Sequence, residues 1–341
     1  GQWRAATKIF DETSFVTGQL DIAGVLAAIR LYVQVEDHAG ALSVLSRVYS
    51  SQGLVVPAQA YNACLAAFSQ ASALDFATQI WQEMEQNESL TCGSFTSMLQ
   101  AHARSGAWLQ ALQLLLDMGE RALQPDTQAF TSAISACGNA AKWHSALVVL
   151  SRSHAGIAEA LCKNAAISAC AKAGLWREAI HLMEELAERR TVVSWNAAMT
   201  ACAEAGEWQV ALALLGHMVQ GWSHLGAPTC TPNAITFNTA IAACKNGSKW
   251  IEALCLLSDM AASRLSPDVS TFTTSITACE RGGVPELATA LWEDLRSSDF
   301  APTTPAFNAA LMAAARASAW EQALRLLGEM EAGGVPRDRL S

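Results

Sequence analysis

The chain is poor in several things a catalytic or membrane protein would need. Only 16% of its 341 residues are charged, aromatics make up 7%, and there are three tyrosines and nine prolines. Its longest apolar runs, such as ALVVL and LALLGHMV, are far too short to span a bilayer. No C-x-x-C pair occurs, and the seven histidines (His38, His102, His144, His154, His181, His217, His224) lack metal-ligand spacing, so the residues give no reason to expect a metal or a cofactor. There is no Gly-rich phosphate loop, no G-x-S-x-G, no paired carboxylates in a suitable context and no H-x-E followed by C-x-x-C. An enzyme is therefore not expected. The net charge of −9 also speaks against a globally basic nucleic-acid footprint, although the placement of charges counts for more than their sum. No signal or transit segment is visible. The opening GQWRAATKIFDE reads as mid-pattern, as if the chain were cut from a longer protein.

What is present is apolar, small and periodic. Half of the residues are hydrophobic, rich in Ala and Leu, which favours close-packed helices over sheet. Trp3, Trp108, Trp143, Trp176, Trp208, Trp250 and Trp320 are mostly separated by multiples of about 35 residues. An alanine follows three positions after each: Ala6, Ala111, Ala146, Ala179, Ala211, Ala253, Ala323. A small residue there lets a neighbouring helix approach, and the Trp is expected to fill the gap between helices and bury a large area. Cys137, Cys170, Cys202, Cys244 and Cys279 recur among alanines, as small apolar packing residues would. Unpaired thiols fit a reducing compartment.

Residues 234–268 give the clearest copy. Phe237, Ile241 and Cys244 fall on one face of a first helix expected over about positions 3 to 14. Gly247-Ser248 breaks it, with Gly106, Gly174, Gly206 and Gly283 as equivalents supplying positive-φ freedom. A second helix starts near Trp250 with Ala253, Leu254 and Leu257 inward and Glu252 and Asp259 outward, and Pro267-Asp268 closes the unit. On this register residues 1–21 are the tail of a truncated repeat, and 22–57 form a degenerate unit with His38 in place of Trp. Eight further units follow at 58–91, 92–126, 127–159, 160–191, 192–233, 234–268, 269–303 and 304–338, with a tail at 339–341. Unit 192–233 carries an insertion around GWSHLGAPTCT, expected to be a loop, and unit 269–303 has Pro285 in place of Trp, tolerable in a helix's first turn. One helix pair cannot bury both its faces, but stacked pairs can. The predicted fold is all-α: a right-handed α-solenoid superhelix of stacked antiparallel helix pairs.

The TFN and SWN leads, the small-residue first helix, EAL in the second and the terminal Pro-Asp resemble the pentatricopeptide repeat family, most specifically in TFNTAIAAC, VVSWNAAMTAC and STFTTSITAC. The resemblance implies sequence-selective binding of single-stranded RNA in a chloroplast or mitochondrion, one base per repeat, by a monomer working with protein partners of an RNA-processing complex. It also implies roles for particular residues. The fifth residue of each repeat would read a base edge together with the repeat's last residue. The fifth residues are Asn62, Thr96, Thr131, Asn164, Asn196, Asn238, Thr273 and Asn308, all Asn or Thr. Base reading and helix N-capping both suit these residue types. By the family's preferences Thr96 with Asp126 resembles a guanine reader, Asn238 with Asp268 and Asn308 with Asp338 uracil readers, and Asn196 with Asn233 a pyrimidine reader leaning to cytosine. Val193 and Ile235, with Leu161, stand where an aliphatic side chain would sandwich the base, whereas Gln59, Gly93, Gln128, Ser270 and Pro305 depart from that pattern.

Arg104, Lys172, Lys245, Arg281 and Arg316 recur at position 12 or 13 of their units, either as a basic row that would serve the phosphates of the RNA the resemblance implies or as a scatter of solvated charges. Acidic residues such as Glu83, Asp117, Glu184 and Glu293 concentrate on the second helices. A solenoid that binds a peptide or partner helix in its groove, without RNA, is the alternative, and the acidic balance favours it.

Overall fold

The computed structural model describes residues 27–32, 35, 37, 39–43, 58–71, 73–153, 157–220, 230–298 and 300–336. The expected units 1–21 and most of 22–57, the insertion at 221–229 and Asp338 therefore lie outside the described residues. The first helices of successive repeats are α1 (Ala58–Gln70), α3 (Cys92–Ser105), α5 (Thr127–Asn139), α7 (Ile157–Lys172), α9 (Val192–Glu204), α11 (Ala234–Asn246), α13 (Val269–Arg281) and α15 (Thr304–Arg316). The second helices are α2 (Leu74–Gln86), α4 (Trp108–Glu120), α6 (Trp143–Arg152), α8 (Trp176–Glu185), α10 (Trp208–Gln220), α12 (Trp250–Ala262), α14 (Pro285–Ser297) and α16 (Trp320–Ala332). No described residue is in a strand, and no described helix is long and apolar enough to cross a membrane.

The chain forms two compact units, residues 1–169 and 170–341. Within each, first helices pack on first helices (α1 on α3, α3 on α5; α9 on α11, α11 on α13, α13 on α15), while second helices such as α2, α4, α10, α12 and α14 pack on their own partner and the next first helix. This is the expected solenoid construction of stacked helix pairs. Small residues make the first-helix layer possible. Ala240, Ala243 and Cys244 are fully buried, and a Cβ added to Gly138 would sit 2.8 Å from the Cβ of Ala169 on the next first helix. Phe237 and Ile241 complete that face, each contributing roughly 1.5–3 kcal/mol by burial. On the second helices Ala111, Ala146, Ala179, Ala211 and Ala253 are buried, as their spacing predicts. The inward set of α12 is Ala253, Leu256 and Met260, with Leu254 and Leu257 only half-buried, a correction to the expected face.

Seven of the eight first helices begin earlier than expected, at position 1, and α7 earlier still, at Ile157; in five of the seven the last residue of the preceding repeat caps the helix with its side chain. Asp126, Asn233 and Asp268 accept hydrogen bonds from the amides of Ala129, Thr236 and Thr271 at 2.7, 3.0 and 2.8 Å. Thr91 and Thr191 do the same through capping boxes with Ser94 and Ser194. The register tryptophans open the second helices but are only half-buried, and Trp320, which no described helix pair follows, is 68% exposed. Trp208 and Trp250 lean on the next repeat instead: the ring of Trp250 lies where a Cβ on Gly282 would be 2.3 Å away. Lys142 and Lys249 cover the rings of Trp108 and Trp208 at 5.7 and 5.0 Å. Pro285 sits in the first turn of α14, and that repeat buries Trp292 against Phe307.

Position 15 takes positive φ in every repeat from α3 onward, whether or not it is glycine: Gly106, Gly174, Gly206 and Gly283, but also Ala141, Ser248 and Ser318. In the 234–268 unit the turn therefore belongs to Ser248 (φ 55°), and Gly247 is needed for another reason, the ring of Trp208 pressed against its Cα.

Apart from the half-buried Cys92, the cysteines on first helices are buried, and burial pushes the thiols of Cys64 and Cys244 up to about 12, away from reactive thiolate.

Candidate nucleic-acid interface

Position five is the fifth residue of the first helix (the eighth, Asn164, in α7), past its first turn, and so cannot be the N-cap. Capping is done by the repeat-end residue, the very one expected to read a base with position five. The two meet. Asn62 Nδ2 donates to Thr91 Oγ1 at 3.0 Å and Asn238 Nδ2 to Asp268 Oδ1 at 3.4 Å, and Thr96 Oγ1 lies 3.4 Å from Asp126 Oδ1. The reason is geometric. The chain returns after one helix pair to the start of the next first helix, which packs alongside, so its cap lands beside position five of the helix before.

Most position-five residues are half-buried (Asn62, Thr131, Asn164, Asn196, Asn238, Thr273), while Thr96 and Asn308 are buried at 7% and 8% exposure. Asp126, Asn233 and Asp268 are exposed. The threonine hydroxyls are held by their own helix: Thr96 donates to the Cys92 carbonyl at 2.9 Å, Thr131 to Gln128 at 3.0 Å and Thr273 to Val269 at 2.6 Å. Burial works to raise the Asp268 pKa. Hydrogen bonds from the Thr271 amide and hydroxyl, then from Asn238 and the Ser270 amide, outweigh it and hold the carboxyl below the ordinary value. Position-two side chains stand clear of the core: Val193 and Ile235 are each 62% exposed and Leu161 55%. Such aliphatics could lie against a flat ring.

The basic residues divide. Arg104, Lys172, Arg281 and Arg316 are exposed and Lys245 is half-buried. Burial first, and then the charge of Arg281, pulls the Lys245 pKa below that of an ordinary lysine, so these two cations are close enough to feel each other, as members of a row would. Arg104 and Arg316 also have a second task, which the sequence reading missed. Arg104 Nη1 donates to the Ser69 carbonyl at 2.7 Å, and Arg316 Nη1 to the Glu280 carbonyl at 3.3 Å. Asn139 and Asn246 make the same bond, to the carbonyls of Ala103 at 2.6 Å and Ala203 at 2.8 Å. All four side chains occupy position 13, and all four carbonyls occupy position 12 of the previous first helix, among those that have no partner within their own helix. Position 13 is thus a clasp between neighbouring repeats. Arg316 Nε also lies 2.6 Å from Oε1 of the buried Glu280. A recurrent polar residue at a helix end was the available signal, but reading it for charge hid the asparagines.

A second feature lies on the other helices. An apolar groove of about 440 Å³ runs between α4 and α6, lined by Leu112, Leu115, Leu116, Val148 and Val149 and floored by Phe130. None of the expected base-reading or phosphate residues lines it.

The repeat-family models match over much of the chain: the PPR repeat at residues 59–89, 93–123, 162–190, 193–221 and 305–335, and the PPR repeat family at 232–281. The chain belongs to the pentatricopeptide repeat family. Among solved structures it is similar to the pentatricopeptide repeat protein PPR10 from maize, with a TM-score of 0.61 at 23% identity over 98% of this chain and 47% of that one. That likeness supports the fold. This chain thus spans about half the length of the maize protein. A structure of PPR10 in complex with an 18-nt PSAJ RNA element is matched at 19% identity and a TM-score of 0.49, over 100% of this chain and 58% of that one. No curated protein matches the sequence.

Proposed function

We propose that this chain binds single-stranded RNA sequence-selectively along the exposed edge of its first helices, one base per repeat. The observation that carries the proposal is the contact between position five and the next helix's N-cap, seen at Asn62–Thr91, Thr96–Asp126 and Asn238–Asp268. It offers paired donors and acceptors at one point per repeat, beside exposed aliphatics where Val193 and Ile235 stand. Family membership supports the same reading. On it, Thr96 with Asp126 reads guanine, Asn238 with Asp268 and Asn308 with Asp338 read uracil, and Asn196 with Asn233 reads a pyrimidine, preferably cytosine. Asn62, Thr131, Asn164 and Thr273 contribute less defined contacts. Lys172, Lys245 and Arg281 face phosphates, joined by Arg104 and Arg316 through the donors their clasps leave over. The setting is RNA maturation in a chloroplast or mitochondrion, with the chain a non-catalytic adaptor to protein partners.

The test is selection from a randomised single-stranded RNA pool, repeated with N238T and T96N. N238T should switch the base preference, and T96N should switch or weaken it, at one position each of the bound sequence. A folded protein that selects nothing at low salt refutes the proposal. Capture of an amphipathic peptide in the α4–α6 groove, in that event, would favour the protein-binding alternative.

A further inference from the structure

Four residues buried at the third position of the first helices are polar: Ser94, Ser194, Thr236 and Thr271 are all 0% exposed. Each belongs to a capping box, but two reach further. Thr236 Oγ1 lies 2.8 Å from Asn196 Oδ1, and Thr271 Oγ1 lies 2.6 Å from Asn238 Oδ1. These are contacts from position three of one repeat to position five of the repeat before. In the first of the two compact units the connection is indirect: Ser94 Oγ and Thr91 Oγ1 are 3.1 Å apart, and Thr91 Oγ1 accepts from Asn62 Nδ2.

The sequence shows the same relation at every junction. Where position five is Asn, position three of the following repeat carries a hydroxyl: Asn62 with Ser94, Asn164 with Ser194, Asn196 with Thr236, Asn238 with Thr271. Where position five is Thr, it does not: Thr96 is followed by Ala129, Thr131 by Cys162, Thr273 by Ala306.

The chemistry accounts for the split. A carboxamide has two ends of nearly equal shape and opposite hydrogen-bonding sense, and a half-turn about its last bond exchanges donor for acceptor. An Asn free to turn presents both patterns, so its discrimination between bases is weak. At Asn238 the Thr271 hydroxyl donates to Oδ1 and Asp268 Oδ1 accepts from Nδ2, which fixes the carbonyl toward the following repeat. The Thr271 hydroxyl has one proton. Asp268 Oδ1, 2.8 Å from it, keeps a donor in the Thr271 amide when that proton goes to Asn238. A Thr at position five needs no such help, because its hydroxyl proton is directed to its own helix's carbonyl, as at Thr96, Thr131 and Thr273.

We propose that the position-three hydroxyl of the following repeat is a specificity-positioning residue that locks the amide of a position-five Asn in one orientation, so that base choice depends on a third residue beyond the reading pair. The proposal rests on the RNA-binding reading above.

The experiment uses the full chain and a randomised RNA pool, with T271V, T271S, T96N and the double variant T96N/A129T. T271V is close in shape and removes only the hydroxyl. Its preference at the nucleotide read by Asn238 should fall about tenfold toward neutrality, with preferences elsewhere unchanged, and T271S should restore it. T96N alone should give a poorly discriminating reader, and A129T added to it a sharp one. Without RNA, the Asn238 side-chain amide resonances should show one orientation in the parent and T271S, and averaging in T271V. Undiminished discrimination by T271V, or a single fixed amide orientation in it, overturns the proposal. An equal loss of preference at every nucleotide also overturns it, since that would mark a general structural role. A parent chain that selects no RNA overturns the RNA-binding reading and this one together, whereas a selective parent with a selective T271V overturns this one alone.

Discussion

Arg104 holds two candidate jobs, and substituting it by asparagine separates them. Its Nη1 donates 2.7 Å to the Ser69 carbonyl, while the remaining guanidinium donors face solvent on an exposed residue. Asparagine already makes the equivalent bond at Asn139 and Asn246, at 2.6 and 2.8 Å. R104N should therefore keep the clasp and lose the charge, and R104A should lose both. A net hydrogen bond contributes about 1 kcal/mol, so R104A should destabilise by roughly 0.5–1.5 kcal/mol while R104N stays within about 0.5 kcal/mol of the parent. If Arg104 neutralises one phosphate, both variants should reduce the slope of log affinity against log salt by about 0.7, the value for one contact on a single strand. Between about 50 and 200 mM salt, the parent's affinity should then fall by an extra factor of about 2.6 relative to R104N, whatever the RNA sequence. Urea melts followed by circular dichroism give the first quantity, and fluorescence anisotropy with labelled RNA at several salt concentrations gives the second. If R104N is as unstable as R104A, the clasp argument is wrong. If the slope does not move, Arg104 is a clasp only. Arg316 does not allow this separation, because removing it also strands the buried carboxylate of Glu280.

Three further outcomes follow from the packing. Ser248 occupies left-handed backbone at φ 55°, so S248G should stabilise by up to about 1 kcal/mol in a denaturation series, and G106A, at φ 70°, should lose a similar amount. Gly282 has helical φ but faces the Trp250 ring at 2.3 Å from an added Cβ. G282A should cost about 1–3 kcal/mol despite the better helix former, and a W250A background should abolish that cost, read as lost amide-exchange protection in α13. Burial lowers the pKa of His102 below 6.5, so the unfolded chain takes up the proton first. The stability from keeping this ring neutral is complete above pH 6.5 and declines as pH falls below it. H102L should flatten that decline, which cannot exceed about 1.4 kcal/mol per pH unit for one proton, in melts between pH 7 and 5.

Much of the architecture was legible because it is periodic. The Trp and Ala spacing placed the start of most second helices, since a residue repeated every 35 positions occupies the same place in each copy. Other parts were misread. The first helices start two residues earlier than the TFN-type leads suggest, because a cap such as Asp268 belongs to the previous repeat in sequence and to the next helix in space. The tryptophans looked like core and are at most half-buried; Trp208 and Trp250 act as bridges, since each leans on a glycine of the following copy that the sequence does not mark as adjacent.

By itself the sequence determined the helix pairs, the small-residue face that stacks them and the column of Asn and Thr at position five, because local spacing and side-chain size are sufficient for these. Only the tertiary structure decided which side chains from neighbouring repeats meet: Asn238 with both Asp268 and Thr271, Arg104 with the carbonyl of Ser69. Those contacts cross some 30 to 35 residues of chain and depend on how far one helix is offset along the next, a quantity fixed by close packing at residues such as Gly138 and Gly282 and written in no single repeat.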